Sequence, residues 1–145
     1  MTNNKPKKIE VAVGVIHTPN GYILQRRPSE KSIGAAGLIG CFGGKIKGNE
    51  TKEAAVIREL AEETYLTYKK GELEYMGHVT VMSDRDNKPV EVKAHAFSGS
   101  AMNQVACKEG TLVVLTYEQI MSRTNELTPA TLAIFQDLIE IEEKQ

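Results

Sequence analysis

Three glutamates, Glu59, Glu62 and Glu63, stand at i, i+3 and i+4 within a stretch of helical patterning. A helix turns by about 100° per residue, so the three fall on one narrow arc of its surface. Carboxylates this close repel one another, and the arrangement costs stability unless a cation sits among them. Hard divalent cations with oxygen ligands, Mg²⁺ above all, are the natural partners. Ions held in this way can bridge phosphate oxygens and activate a water for attack on phosphorus. Glutamate triplets on helices are nevertheless often plain solvated faces, and Arg58 can pair with Glu62 at i+4. The triplet alone leaves both readings open.

The helix that must carry these groups runs from Thr51, a residue suited to an N-cap, to about Thr64, with Glu53 favourably placed in the first turn. Ala54, Ile57, Leu60, Ala61 and Thr64 are expected on the face opposite the carboxylates, packed on a sheet. Ile9 to Ile16 reads as a strand, Pro19-Asn20-Gly21 as a turn, and Tyr22 to Gln25 as the returning strand. Between Ser32 and Gly48 the glycines Gly34, Gly37, Gly40, Gly43, Gly44 and Gly48 argue for loops and close backbone approach around a short strand. Leu73 to Met82 and Val90 to Phe97 are two further strands, with a turn over Asp84 to Pro89. Thr111 to Leu115 is a short apolar strand, and a helix over Glu118 to Ser122 follows it. Thr128-Pro129 then opens a last helix carrying Leu132, Phe135, Leu138 and Ile139 on one stripe. The fold class expected is α/β, a layered domain with a mixed sheet flanked by helices and spanning residues 1–145.

With 145 residues, 26% of them charged, and a formal net charge of -1, nothing global draws the chain to a nucleic-acid polymer or an anionic membrane. Lys5, Lys7 and Lys8 read as a solvated, frayed start. Cys41 and Cys107 are far apart and form no C-x-x-C pattern, so neither a disulfide framework nor a structural zinc site is supported. No run approaches membrane-spanning length, and the expected compartment is the cytoplasm. A monomer or a homodimer is expected.

The spacing around the triplet is far more informative than the triplet itself. Gly44, then Glu50, then Arg58-Glu59-Leu60, then Glu62-Glu63, then Tyr65-Leu66 resembles the Nudix box, G-x5-E-x7-R-E-U-x-E-E-x-G-U, where U is a bulky aliphatic residue. Every fixed position over residues 44–66 agrees except the last glycine, which is Tyr65 here. Ile23-Leu24-Gln25-Arg26-Arg27 and Phe42-Gly43-Gly44-Lys45 resemble the segments that lead into the box in MutT-type members of that family. A P-loop is ruled out, because Ile39 stands where its first glycine belongs and Ile46 replaces its Ser or Thr.

The resemblance implies a Nudix-type α/β/α sandwich with a mixed β-sheet, and a Mg²⁺-dependent enzyme, with Mn²⁺ as a substitute. It would cleave the diphosphate linkage of a small-molecule nucleotide, a (deoxy)nucleoside triphosphate first of all and in some members an oxidised one. ADP-ribose or dinucleoside polyphosphates are the alternative substrates, and a non-catalytic nucleotide-binding module is the alternative role. Carried onto matching positions, Glu59, Glu62 and Glu63 would ligate metal together with the Gly44 carbonyl. Glu109, just before the Thr111 strand, would reach across to the same ions or else be an ordinary loop residue. Glu59 is the first candidate for the general base, with Glu62 and Glu109 its rivals, and Arg58 would orient a box carboxylate. Arg26, Arg27 and Lys45 would meet substrate, and Glu50 would brace the loop against the helix. Glycine at position 65 would let the helix stop in a left-handed turn, so Tyr65 is expected either to prolong the helix or to end it differently.

Overall fold

The computed structural model describes residues 5–29, 37–85, 87–102 and 105–139. Ser32 and Gly34 of the glycine-rich stretch, and Asp86 of the expected turn, lie outside those residues. In chain order the elements are β1 (Lys7–Thr18), β2 (Gly21–Arg26), β3 (Ile39–Gly40), β4 (Phe42–Lys45) and α1 (Lys52–Thr64). They continue with β5 (Glu74–Arg85), β6 (Lys88–Ser100), β7 (Thr111–Leu115), α2 (Tyr117–Met121), a 3-10 turn (Thr124–Glu126) and α3 (Pro129–Asp137).

β1 is the organising strand. It runs parallel to β6 from Lys7↔Val90 to His17↔Ser100, and antiparallel to β4 through Val11↔Lys45 and Val13↔Gly43. The strand order β3-β2-β1-β6-β5 makes one mixed sheet, with β4 joined to β1 and β7 joined to β2. Side chains alternate along a strand, so β1 serves two cores at once. Ala12 and Ile16 pack with Phe42, Val56, Leu60 and Phe97 beneath α1. Val13 and Val15 pack with Ala94, Ile134 and Phe135 beneath α3. The unbroken apolar run from Val11 to Ile16 is what a strand buried on both faces requires.

Several sequence expectations need correction. β5 and β6 extend further than expected, pairing as far as Arg85↔Lys88, so Asp84, Arg85, Lys88 and Pro89 of the expected turn belong to the strands. α2 begins at Tyr117, because Thr116 and Gln119 form a reciprocal capping box. In α3 the fully buried positions are Thr131, Ile134 and Phe135; Leu132 and Leu138 lie only partly inside.

The phase of α1 also differs. Its buried residues are Ala55, Val56, Glu59, Leu60 and Thr64, while Ala54 is exposed. The packed face is thus turned by about 100° from the expected one, one residue's rotation. Val56 and Leu60 offer more apolar surface to the core than Ala54 and Ala61, which decides the rotation. As a result Glu59 and Glu63 face inward, and Glu62 alone of the three looks outward.

Tyr65 neither prolongs the helix nor ends it in a new way: it adopts the left-handed conformation itself, at φ 64°, as the C-cap residue. Its N–H still bonds to the Ala61 carbonyl at 3.3 Å. A side chain in that region costs roughly 1–2 kcal/mol. Part of this is offset by Lys108, whose Nζ lies 4.3 Å from the centre of the Tyr65 ring. Replacing Tyr65 by Gly is therefore expected to raise stability by about 0.5–1 kcal/mol, after the ring contact and the greater freedom of the unfolded glycine are deducted. Urea unfolding measures this; a midpoint lower than that of the parent protein would mean the ring contact outweighs the backbone strain.

Candidate active site

The loop between β4 and α1 is built around one guanidinium. Lys47 and Glu50 close a turn in both directions: the Glu50 N–H donates to the Lys47 carbonyl, and the Lys47 N–H donates to Glu50 Oε1, each at 2.9 Å. Thr51 then caps α1, accepting from the Ala54 N–H at 3.0 Å. Arg58, two turns along the helix, reaches back. Its Nε donates to Glu50 Oε2 at 2.7 Å and its Nη2 to Glu50 Oε1 at 2.9 Å, a two-pronged pair. Nη2 also donates to the Lys45 carbonyl at 3.1 Å. Nη1 donates to Glu59 Oε1 at 2.9 Å and to Glu62 Oε2 at 3.4 Å. Every N–H of the fork has an acceptor.

This network sets the charges. Arg58 holds the Glu50 carboxyl down at about 2, helped by the Lys47 N–H, and Glu50 in turn holds Arg58 above its ordinary value. Glu59 lies almost fully buried beside the guanidinium. Glu63, one turn on, has no such partner. Burial, then the Glu59 charge beside it, then a hydrogen bond shared with Glu59 push the Glu63 carboxyl up to about 7, against the opposing pull of the Gly43 N–H and the Arg27 charge. Its Oε2 is buried and accepts no hydrogen bond from the described residues.

The Gly43 N–H bonds to Glu63, and Gly44 beside it faces Glu59. A Cβ at that position would stand 2.6 Å from Glu59 Oε1, so no residue with a side chain fits there without displacing the glutamate. An unsatisfied buried carboxylate oxygen and a cradle open only because a glycine lines it are what an oxygen-ligated divalent cation needs. Glu59, Glu63 and the Gly44 backbone would hold such an ion. Among the described residues no three acidic, imidazole or thiol groups converge on one point. Glu62 is the member of the triplet left out, bonded to Arg58 and 57% exposed in its side chain.

Beside this corner opens a cavity of about 360 Å³, bounded by Gly43, Gly44 and Lys45 of β4 and floored by aliphatic residues of β1 and β6. Arg27 and Glu109 both line it. Arg27 is partly buried, which lowers its pKa, while Glu63 and Glu109 act on it in the opposite sense. Arg26 points elsewhere: its Nη2 pairs with Glu126 at 2.8 Å and its Nη1 bonds to the Gly37 carbonyl at 3.1 Å. Consecutive residues at a strand end face opposite ways, so Arg27 is the member of the pair brought to the cavity. Glu109 arrives by two ties. The Lys108 N–H bonds to the Glu63 carbonyl at 3.1 Å, and Gln25 Nε2 donates to the Glu109 carbonyl.

Asp84 and Arg85 of β5, with Thr128 and Thr131 at the start of α3, also line the cavity. Sequence reading took these residues only as turn and cap chemistry; the one available signal was a charged run at a strand end. Glu91 lies elsewhere, 3.9 Å from Lys8. His95 is a satisfied buried histidine between Tyr75 and Glu10. Cys41 is fully buried, and its thiol is pushed up to about 12, so it is no nucleophile.

Because Glu50 ionises at about 2 in the folded protein and near 4.5 when free, the stability it contributes is complete above pH 4.5 and lost as pH falls towards 2. Glu50→Gln is expected to lower the unfolding midpoint at pH 7, with the gap from the parent protein closing between those two pH values. Melts over that range check it; a gap independent of pH would mean that packing, and not the charge pair, carries the effect.

Three comparisons with known proteins bear on this geometry. The NUDIX domain family is matched by residues 8–130. The 8-oxo-dGTP diphosphatase of Escherichia coli (strain K12) is 42% identical over 62 residues, 42% of this chain and 46% of that protein. The protein of the same description from Proteus vulgaris is 41% identical over 58 residues, 39% of this chain and 50% of that one. The matched segment thus spans about half the length of these curated relatives. In fold, the chain is similar to the MutT protein from Methanosarcina mazei Go1, with a TM-score of 0.78 at 24% identity, over 92% of this chain and 94% of that one. Matched across most of its length, with the box glutamates gathered on one helix, the chain belongs to the NUDIX domain family.

Proposed function

We propose that the chain is a Mg²⁺-dependent hydrolase of the diphosphate linkage in small nucleotides, converting a nucleoside triphosphate and water to the monophosphate and pyrophosphate. The observation that carries this is the meeting of Glu59 and Glu63 beside the glycines of β4, Glu59 against Gly44 and Glu63 on the Gly43 N–H, next to a cavity lined by Arg27. Glu59, Glu63 and the Gly44 backbone would hold Mg²⁺, or Mn²⁺ in its place, and Glu109 would approach from the β7 side. When bound, the ion would neutralise phosphate charge and make a nearby water more acidic.

The chain's own groups do the rest. Arg58 keeps Glu59 oriented, and we assign to Glu59 the proton of the attacking water. As the new P–O bond forms, the bond to the leaving pyrophosphate breaks, and the fixed charge of Arg27 meets the oxygens on which negative charge collects. Lys45, exposed at the cavity edge, adds a second, looser positive charge. The aliphatic floor takes up the nucleoside and excludes water from that side. The name carried by the two curated relatives makes 8-oxo-dGTP the first substrate to test.

A panel of nucleoside triphosphates, 8-oxo-dGTP, ADP-ribose and a dinucleoside tetraphosphate, assayed with Mg²⁺ and product identification, tests the assignment. Release of pyrophosphate from a triphosphate is expected; nucleotide binding without turnover of any compound would make the chain a binding module. Glu63→Gln is expected to lower kcat by orders of magnitude while leaving the fold intact. The same substitution should abolish the rise in melting temperature that Mg²⁺ gives the parent protein. An unchanged rate, or an unchanged Mg²⁺ response, would remove Glu63 from the metal site.

A further inference from the structure

The far wall of the cavity belongs to the β5–β6 hairpin, to which the mechanism above gives no role. Its strands stay paired through Asp84↔Pro89 and Arg85↔Lys88, and Asn87 takes the left-handed conformation at φ 62°. Pairing with Lys88 holds the backbone of Arg85 in the sheet. Arg85 lines the same cavity as Arg27, Gly44 and Lys45, yet comes from the opposite edge of the sheet, across β1 and β6. The two guanidiniums lie close enough for the charge of Arg85 to oppose protonation of Arg27. Two like charges facing one cavity repel, and that repulsion becomes attraction to both once a multiply charged anion lies between them. Asp84 and Glu109 line the cavity too, so its mouth is not uniformly positive. What distinguishes an anion here is its reach between two forks, not the net field.

We propose that Arg85 is a second anchor for the phosphate chain of the substrate, acting across the cavity from Arg27, and that the pair selects nucleotides by phosphate-chain length. The proposal rests on the hydrolase reading only for its choice of ligand. Selection of this kind requires that a monophosphate at the carboxylate corner engage one arginine and a triphosphate engage both. A guanidinium offers phosphate two parallel N–H donors, and loss of one such charged contact weakens binding by about 10-fold or more.

The test is calorimetric binding of dGTP, dGDP and dGMP in the presence of Ca²⁺, with steady-state kinetics in Mg²⁺, for the parent protein, Arg85→Ala and Arg85→Lys. Arg85 is exposed at a strand end, and melting curves of both variants check that the fold is kept. Arg85→Ala should weaken dGTP by about 10-fold, dGDP less, and dGMP by less than about 2-fold. The dGTP loss should shrink at high salt, and KM should rise with little change in kcat. Arg85→Lys should recover part of the dGTP affinity, since it keeps the charge and loses the fork. An equal loss for all three nucleotides, no loss, or failure of the parent protein to bind any of them overturns the proposal. A graded loss in a parent protein that turns over none of them would sustain the anchor and refute the hydrolase. Turnover with an ungraded loss would do the reverse.

Discussion

Arg58 spends all five of its N–H donors within one loop and one helix, and the rest of the site depends on that commitment. It ties the turn at Glu50 to the second turn of α1 and fixes the Lys45 carbonyl, and with it the end of β4. It also sets its positive charge against Glu59, which is almost fully buried. Without it, two inward-facing carboxylates would destabilise the helix that presents them. The guanidinium satisfies one and leaves the other short of a partner, and this asymmetry is what suits the corner to a cation.

The sheet serves that arrangement by placing backbone where side chains would obstruct. β4 delivers glycines beneath the α1 carboxylates, and it can do so because β1 holds it in register opposite Val11 to Gly14. α1 presses Val56 and Leu60 into the core on one side, while α3 covers the other face with Ile134 and Phe135. Stability is invested in those two layers. The polar corner sits at their rim, where burial is deep enough to strengthen charge interactions but the cavity still admits a ligand.

Much of this was legible in the sequence, and the reason is that local chemistry carried it. Thr51 as N-cap, Thr128-Pro129 as the start of α3, the β1–β2 turn and the mixed sheet all follow from short-range rules that the tertiary structure did not override. The box spacing located Glu59, Glu63, Gly44, Arg58 and Glu50 because their separations are set by a loop and a helix, both local objects. What the sequence hid were matters of phase and distance. The rotation of α1 was decided by which apolar residues the core needed, not by keeping the carboxylates away from it. Choosing between Arg26 and Arg27 required knowing which way a strand end faced. Arg85 comes to the cavity through a hairpin far along the chain, and nothing near residue 85 announces a partner near residue 27. Tyr65 shows the limit of propensity: a disfavoured backbone conformation persists where the helix must end and Lys108 covers the ring.

β1 is also the strand on which the timing of assembly turns. Its longest pairing is with β6, whose residues follow it by more than half the chain, and β4 rests on β1. A ribosome-bound chain that has already exposed every box residue therefore still lacks the strand that sets β1 in place. Completing the carboxylate corner thus draws on contacts of long sequence separation, whose loop-closure entropy must be met before they contribute stability.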